Sequence, residues 1–441
     1  MQRLVPCMDK IRAAINSPRA TVAYFLLAAL TVTLSIEQYV IPLWILWLLF
    51  VLLIEKSFLS IFFPMLLLNA FALRTAGHDL ALMRHVWLIV PVLAAIALHF
   101  VIHYRKFVRG RQFWSHVALS VALVLGGAFS ISAKEYFSAD ALYYVGLLGP
   151  GMLFFYLWFR NSLEDAGAYD IKEKLMESLY GLGFFCFYSI VDQAIRNLLA
   201  HGTVNVPYIW GNDISVLMLF AIPTALYYAR GRYAHLISAF LFVAVLPLTR
   251  SYAGILVGCG MLVLSLGYLA FYRKKTRALT LSLLGGLCLA GIAAFVFLCV
   301  RAGGLSALFR AEENGRLSLL AEAWRNFCAS PVFGAGLGEK GDAEVHFLAI
   351  KWTHNYLMQI VGSLGLVGVA AYGYQMYLRA RIALAKRDAF TVAATLTYLS
   401  LFFVSMLQPG EFCPMPYATM AVMIFTVLEI NAEKEKNATP S

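Results

Sequence analysis

The chain has 441 residues, of which 61% are hydrophobic and only 13% charged. A soluble domain of this size cannot bury so much apolar surface, because burial in water is limited by surface-to-volume geometry. The formal charge of +11 does not call for nucleic acid, since the Lys and Arg gather in short loops between apolar runs, as the positive-inside rule predicts for a membrane protein.

The chain opens on a basic segment (Arg3, Lys10, Arg12, Arg19) leading into a first apolar run without a small-residue cleavage site, so that run is expected to be retained. Apolar runs of roughly 16–23 residues then recur to the far end, about the length that crosses a bilayer as helix. They lie near 20–36, 39–54, 57–74, 86–101, 115–133, 140–159, 175–199, 214–229, 233–249, 251–271, 278–300, 355–377, 390–407 and 415–431. The fold class predicted is all-α, a polytopic transmembrane helix bundle of about 12–14 spans with one external helical loop subdomain. The basic loops Arg105 to Arg111, Arg230 to Arg232, Arg273 to Arg277 and Arg379 to Arg387 fall on one side, with the N-terminus and Lys434 and Lys436. That side is expected to be cytoplasmic. The insert 301–353 and the loops 134–139, 200–213 and 408–414 are then expected outside. The organisation expected is a transmembrane bundle over 1–300, the external loop over 301–353, C-terminal spans over 354–431 and a cytoplasmic tail over 432–441.

The seven cysteines are scattered, several inside apolar runs (Cys186, Cys259, Cys288), and show no CxxC or Cys/His spacing. No metal and no cofactor is expected. Gly254-x-x-x-Gly258 and the run Gly362, Gly365, Gly368 predict close helix packing. In the external insert, Asn314-Gly315 signals a turn, and Arg316 to Ala329 predicts an amphipathic helix with Leu317, Leu320, Trp324 and Phe327 on one face. Such a helix either lies on the membrane surface or packs over the bundle. Pro331 ends it, and Gly334 to Gly338 predicts a flexible loop that follows no strand and so does not read as a nucleotide fingerprint.

The expected topology brings Arg196, Arg250, Arg316 and His354 to one membrane face, the outer one. Guanidiniums hold phosphate bidentately and stay charged, and a neutral imidazole takes a proton from an attacking hydroxyl. Nearby arginines would keep that imidazole neutral. Each has a plainer reading. Arg196 stands four residues after Asp192, the spacing of a helix-face ion pair. Arg250 is a membrane-edge anchor in that view, and Thr353-His354-Asn355 is a helix start among lipid headgroups.

The stretch 314–368 joins an Arg-led amphipathic helix, Ser330-Pro331-Val332-Phe333-Gly334-Ala335-Gly336, and the pattern His354-Asn355 with Met358 three residues after the Asn and Gly365-Leu366-Val367-Gly368 beyond. It resembles the O-antigen ligase/polymerase family of bacterial envelope glycosyltransferases, closely from Arg250 to Gly368. The resemblance implies a metal-independent, inverting transfer at the outer (periplasmic) face of the bacterial cytoplasmic membrane. The donor would be a glycan on undecaprenyl diphosphate and the acceptor, for a ligase, a hydroxyl of lipid A-core. It also implies that His354 is the base, that Arg250 is a catalytic cation on the diphosphate, and that Arg316 and Arg196 are further diphosphate ligands. A polysaccharide polymerase of the same family, with a lipid-linked glycan as acceptor, is the alternative. A lipid-glycan flippase or carrier is the alternative of another class. Such carriers often show inverted repeats and mid-span breaks, and this sequence shows no clear repeat. The partners expected are the donor, the acceptor and membrane lipids, with no nucleic acid.

Overall fold

The computed structural model describes residues 10–11, 13–75, 86–104, 107–130, 139–164, 166–206, 208–301, 316–337, 353–408 and 410–438. All regular elements in these residues are helical. Hydrocarbon offers no partner to backbone N–H and C=O, so a spanning segment must bond to itself as helix. In chain order the helices are α1 (Pro18–Leu34), α2 (Glu37–Ile54), α3 (Phe62–Thr75), α4 (Ile89–His103), α5 (Phe113–Ala128), α6 (Ala139–Gly146), α7 (Met152–Ser162), α8 (Ala168–His201), α9 (Tyr208–Ala229), α10 (His235–Val245), α11 (Tyr252–Tyr272), α12 (Arg277–Arg301), α13 (Arg316–Ala329), α14 (Tyr356–Leu384), α15 (Ala389–Ser405) and α16 (Thr419–Ala438). Each apolar interval predicted from the sequence contains one of them, except that 140–159 holds two, α6 and α7, and the expected external helix is α13. Five helical stretches among the described residues are long and apolar enough to cross a membrane, and shorter apolar helices fill the intervals between. The chain is a multi-pass membrane protein.

Polar contacts sort the helix ends into two layers. At the basic end the Arg111 N–H and Gln112 Nε2 donate to Glu429 at 2.5 and 3.0 Å. There Arg160 pairs with Glu433 at 2.6 Å, Lys434 Nζ donates to the Leu163 and Glu164 carbonyls, and Arg273 Nη1 to the Ala229 carbonyl. At the opposite end Arg74 pairs with Glu37 at 2.9 Å, Val206 N–H bonds the Leu248 carbonyl, Tyr417 bonds Asp213, and Asn355 bonds the Met406 carbonyl. His354 belongs to this second layer.

Between the layers, close approach of small residues sets the packing, since lipid tails are as apolar as a leucine core. A Cβ on Gly254 would stand 2.5 Å from Ser215 Oγ, and one on Gly258 2.5 Å from Leu246. Both are packing glycines, as the sequence predicts. Gly362 is another: a Cβ there would meet Ala323 of α13 at 2.9 Å.

Gly365 departs from the packing expectation, because it breaks α14. Its φ is 58° and its ψ −152°, inside an otherwise continuous helix. The segment 331–336, expected as a flexible loop, inserts at this break as a strap. Leu366 and Val367 N–H donate to the Pro331 and Val332 carbonyls at 2.8 and 3.1 Å. In return Ala335 and Gly336 N–H donate to the Gly362 and Ser363 carbonyls at 2.8 and 2.9 Å. The break frees four backbone groups and the strap answers all of them. Only glycine fits the contact: a Cβ on Gly365 would lie 2.6 Å from the Pro331 oxygen, and one on Gly334 (φ 69°) 2.6 Å from the Ser363 carbonyl carbon. Gly338 lies outside the described residues. Helix α13 sits on α14 through Ala323, which is buried, while Leu317 and Trp324 of its apolar face are 62% and 54% exposed. The apolar face therefore points away from the bundle, and a small residue makes the packing.

Candidate functional site

Among the described residues three non-glycine residues have positive φ: Ser35 (53°), Arg250 (55°) and His354 (50°). A side chain in this left-handed region costs about 1–2 kcal/mol, so it persists only where its surroundings hold it. Arg250 and His354 are held in the same way.

Arg250 joins the 3-10 turn Leu246–Thr249 to α11. The Thr249 hydroxyl donates to the Leu246 carbonyl at 2.7 Å and accepts from the Ser251 N–H at 3.3 Å. Ser251 caps α11, accepting from the Gly254 N–H at 3.2 Å. Thr249 and Ser251 are fully buried, so the backbone on both sides of Arg250 is fixed. Gly211 of α9 lets this turn approach; a Cβ there would stand 2.3 Å from the Thr249 oxygen. Arg250 itself is exposed, and among the described residues no side chain or carbonyl pairs with its guanidinium.

His354 precedes α14. Thr353 is tied forward: its N–H donates to Gln359 Oε1 at 2.8 Å, and its hydroxyl lies 3.0 Å from that oxygen and 2.9 Å from the Asn355 carbonyl. Gln359 is itself tied to Ser363 at 2.9 Å. Asn355 caps α14, accepting from the Met358 N–H at 3.0 Å, and its amide donates to the Met406 carbonyl at 3.0 Å. The imidazole between these anchors has no hydrogen-bond partner among the described residues. The residue is open to solvent at its surface, yet protein packed around the ring lowers its pKa by desolvation. The Arg316 guanidinium lowers it further. The neutral form, the one that accepts a proton, is thereby favoured.

The sequence Thr249-Arg250-Ser251 thus parallels Thr353-His354-Asn355: a tethered threonine, a left-handed residue with an exposed polar side chain, then the N-cap of a long helix. Both helix starts direct backbone N–H groups and the positive dipole end toward the same layer. Arg316 opens α13 there, half-buried and without an ion pair among the described residues. A shallow cleft between α13, the strap and α14 is lined by Glu322, Asn326, Thr353, Gln359 and Ser363.

Arg196 has another setting. Its Nε lies 2.8 Å from Asp192 Oδ2, the ion pair that the i, i+4 spacing suggested. Its Nη2 donates to the Thr33 carbonyl and its Nη1 to Ser35 Oγ. The guanidinium therefore caps the C-terminal end of α1 and ties it to α8. The structure brings Arg316 within electrostatic reach of His354 and puts Arg250 in the same layer. Arg196 stands at the rim with its donors engaged. Sequence reasoning named Thr353 only as part of a helix start and gave Gln359 no role. The available signal was a glutamine one turn inside a helix whose start is already polar.

Residues 237–373 match the family model described as O-antigen ligase. The matched segment takes in Arg250, Arg316 and His354 and leaves Arg196 outside. No curated protein and no solved structure matches the chain.

Proposed function

From membership of the O-antigen ligase/polymerase family, to which this chain belongs, we propose that it transfers a glycan from undecaprenyl diphosphate to an acceptor hydroxyl at the periplasmic face of the bacterial cytoplasmic membrane, as an O-antigen ligase acting on lipid A-core. Glycosyl transfer as such follows from the family; donor, acceptor, membrane and face are our reading. In that reading His354 takes the proton of the acceptor hydroxyl, the acceptor oxygen attacks the anomeric carbon from the side opposite the phosphate, and the C–O bond to phosphate breaks. The configuration inverts and undecaprenyl diphosphate leaves with the bonding pair. Arg250 and Arg316, with the N-termini of α11 and α14, hold the diphosphate and stabilise the charge that builds on it. With these groups supplying the positive charge, we propose transfer without a metal ion. We assign Arg196 to holding α1 against α8 rather than to the donor.

The observation that carries this reading is the pair of tethered left-handed residues in one layer, an imidazole and a guanidinium without hydrogen-bond partners among the described residues. Ser35 is accounted for as the C-cap of α1, its hydroxyl accepting from Arg196; at Arg250 and His354 the strain falls on exposed side chains whose neighbours are anchored, which favours a site over a headgroup anchor.

The test is glycan transfer in membranes containing a lipid-diphosphate donor, comparing wild type with His354→Ala at matched expression. A positioned base contributes about 10²–10⁴-fold. Loss of that order with donor binding retained supports the assignment; unchanged transfer overturns it. Product formed on lipid A-core marks a ligase, and product on a second lipid-linked glycan marks a polymerase. Donor movement across vesicles without any transfer marks a carrier and overturns the enzymatic reading.

A further inference from the structure

Deep in the bundle, away from His354, lies a second set of polar groups. Arg379 of α14 pairs with Glu411 of the 3-10 turn Gly410–Phe412 at 2.7 Å. His116 of α5 faces the same place, and Met152, Tyr372 and Gln375, with apolar residues such as Leu119 and Val422, line a cavity of about 20 Å³ there. His116, Arg379 and Glu411 are 2%, 3% and 5% exposed. Four of their atoms have no hydrogen-bond partner among the described residues: both His116 ring nitrogens, Arg379 Nε and Glu411 Oε1. Buried polar groups are almost always satisfied, and among apolar helices an unanswered ionised group is especially costly.

We propose that this cavity is a bound-water site within the membrane, holding about one water that bridges His116 to the Arg379–Glu411 pair. Three features fit water and not another ligand. The volume exceeds the roughly 10–15 Å³ that one water needs and is too small for a hydrated ion. The charges of Arg379 and Glu411 cancel, so an ion would bring an uncompensated charge into a low-dielectric interior. The unanswered set also mixes donors and acceptors: Arg379 Nε–H donates, Glu411 Oε1 accepts, and a neutral imidazole does one at each nitrogen. A water answers such a set from both sides. Arg379 also makes the site a closed one, since a fixed guanidinium repels a migrating proton or cation.

The test is X-ray radiolytic footprinting of the full-length protein in lipid nanodiscs, in water enriched in ¹⁸O. Radiolysis of a bound water labels the side chains beside it. Met152 and Tyr372 are expected to take up oxygen several-fold faster than Met176 and Met218, which are fully buried but do not line the cavity. His116→Leu, which removes both ring nitrogens, is expected to bring Met152 down to the rate of those controls. Wild-type Met152 labelling no faster than Met176 overturns the proposal, so it stays falsifiable even if the variant does not fold. Proton flux into proteoliposomes containing wild type, lost in His116→Leu, also overturns it, because the groups would then form a conducting path.

Discussion

Replacing His354 by glycine and by alanine separates what its side chain does from what its backbone conformation costs. Glycine adopts φ near 50° without penalty, so His354→Gly is expected to raise thermal stability in detergent by about 1 kcal/mol while abolishing transfer. His354→Ala keeps the strain and loses transfer without that gain. A glycine variant less stable than wild type would show that the packing around the imidazole outweighs the strain of its backbone. The pH profile follows from the surroundings of the ring. A base works only when neutral, and both burial and Arg316 lower the His354 pKa. Activity is therefore retained below the ordinary imidazole value and lost as pH falls through the depressed one. Arg316→Gln removes the smaller of the two causes, so the acid limb of kcat/KM is expected to move part of the way back to higher pH. An unmoved limb would separate Arg316 from the base. Arg196→Gln belongs to a different class: a loss of about 1 kcal/mol in stability, with transfer per folded molecule preserved. The residue types of the candidate site were legible because His354, Arg250 and Arg316 fall on the face where the positive-inside rule gives no reason for basic residues. The left-handed backbone at two of them was not, since nothing in Thr-Arg-Ser or Thr-His-Asn specifies φ until Gln359, Met406 and the helix caps fix both neighbours.

The helices themselves were legible at the scale of whole elements, because hydrocarbon permits only self-bonded segments of one length range. The break in α14 was hidden for a related reason. Gly362, Gly365 and Gly368 recur at near-helical spacing, and that spacing suits packing equally well; the distinction rests on Pro331 and Val332, which are remote in sequence. The consequence is measurable. Gly365→Ala puts a methyl 2.6 Å from the Pro331 oxygen at a φ that alanine avoids, so it is expected to dislodge the strap and destabilise the fold by about 2 kcal/mol or more. Gly260→Ala, with open space around its Cβ, is the matched control and is expected to be neutral or better. Equal effects of the two in a thermal-shift assay would rule out the reciprocal bonding as a source of stability.

Across the whole molecule, the residues that fasten the bundle together are polar and sit where composition alone predicts only apolar ones. Glu429, fully buried, receives hydrogen bonds from Gln112 and Tyr156 and the charge of Arg160, joining α5, α7 and α16. Arg379 and Glu411 do the same nearer the centre for α14 and the turn before α16. Removing one partner leaves a lone buried charge, so Arg379→Leu is expected to cost about 3–5 kcal/mol. Arg379→Leu combined with Glu411→Leu is expected to recover much of that loss, and a double variant as unstable as the single would refute a charge-balance origin. The strap has a consequence of another kind. Its carbonyls and amides complete a helix that begins only after residues 338–352 have been made, so strap and helix form one hydrogen-bonded unit interrupted in sequence. Grafting residues 316–353 from another protein as a self-contained module would therefore split that unit. A working chimera is expected to need both halves, with its junctions placed before Pro331 and after Gly368.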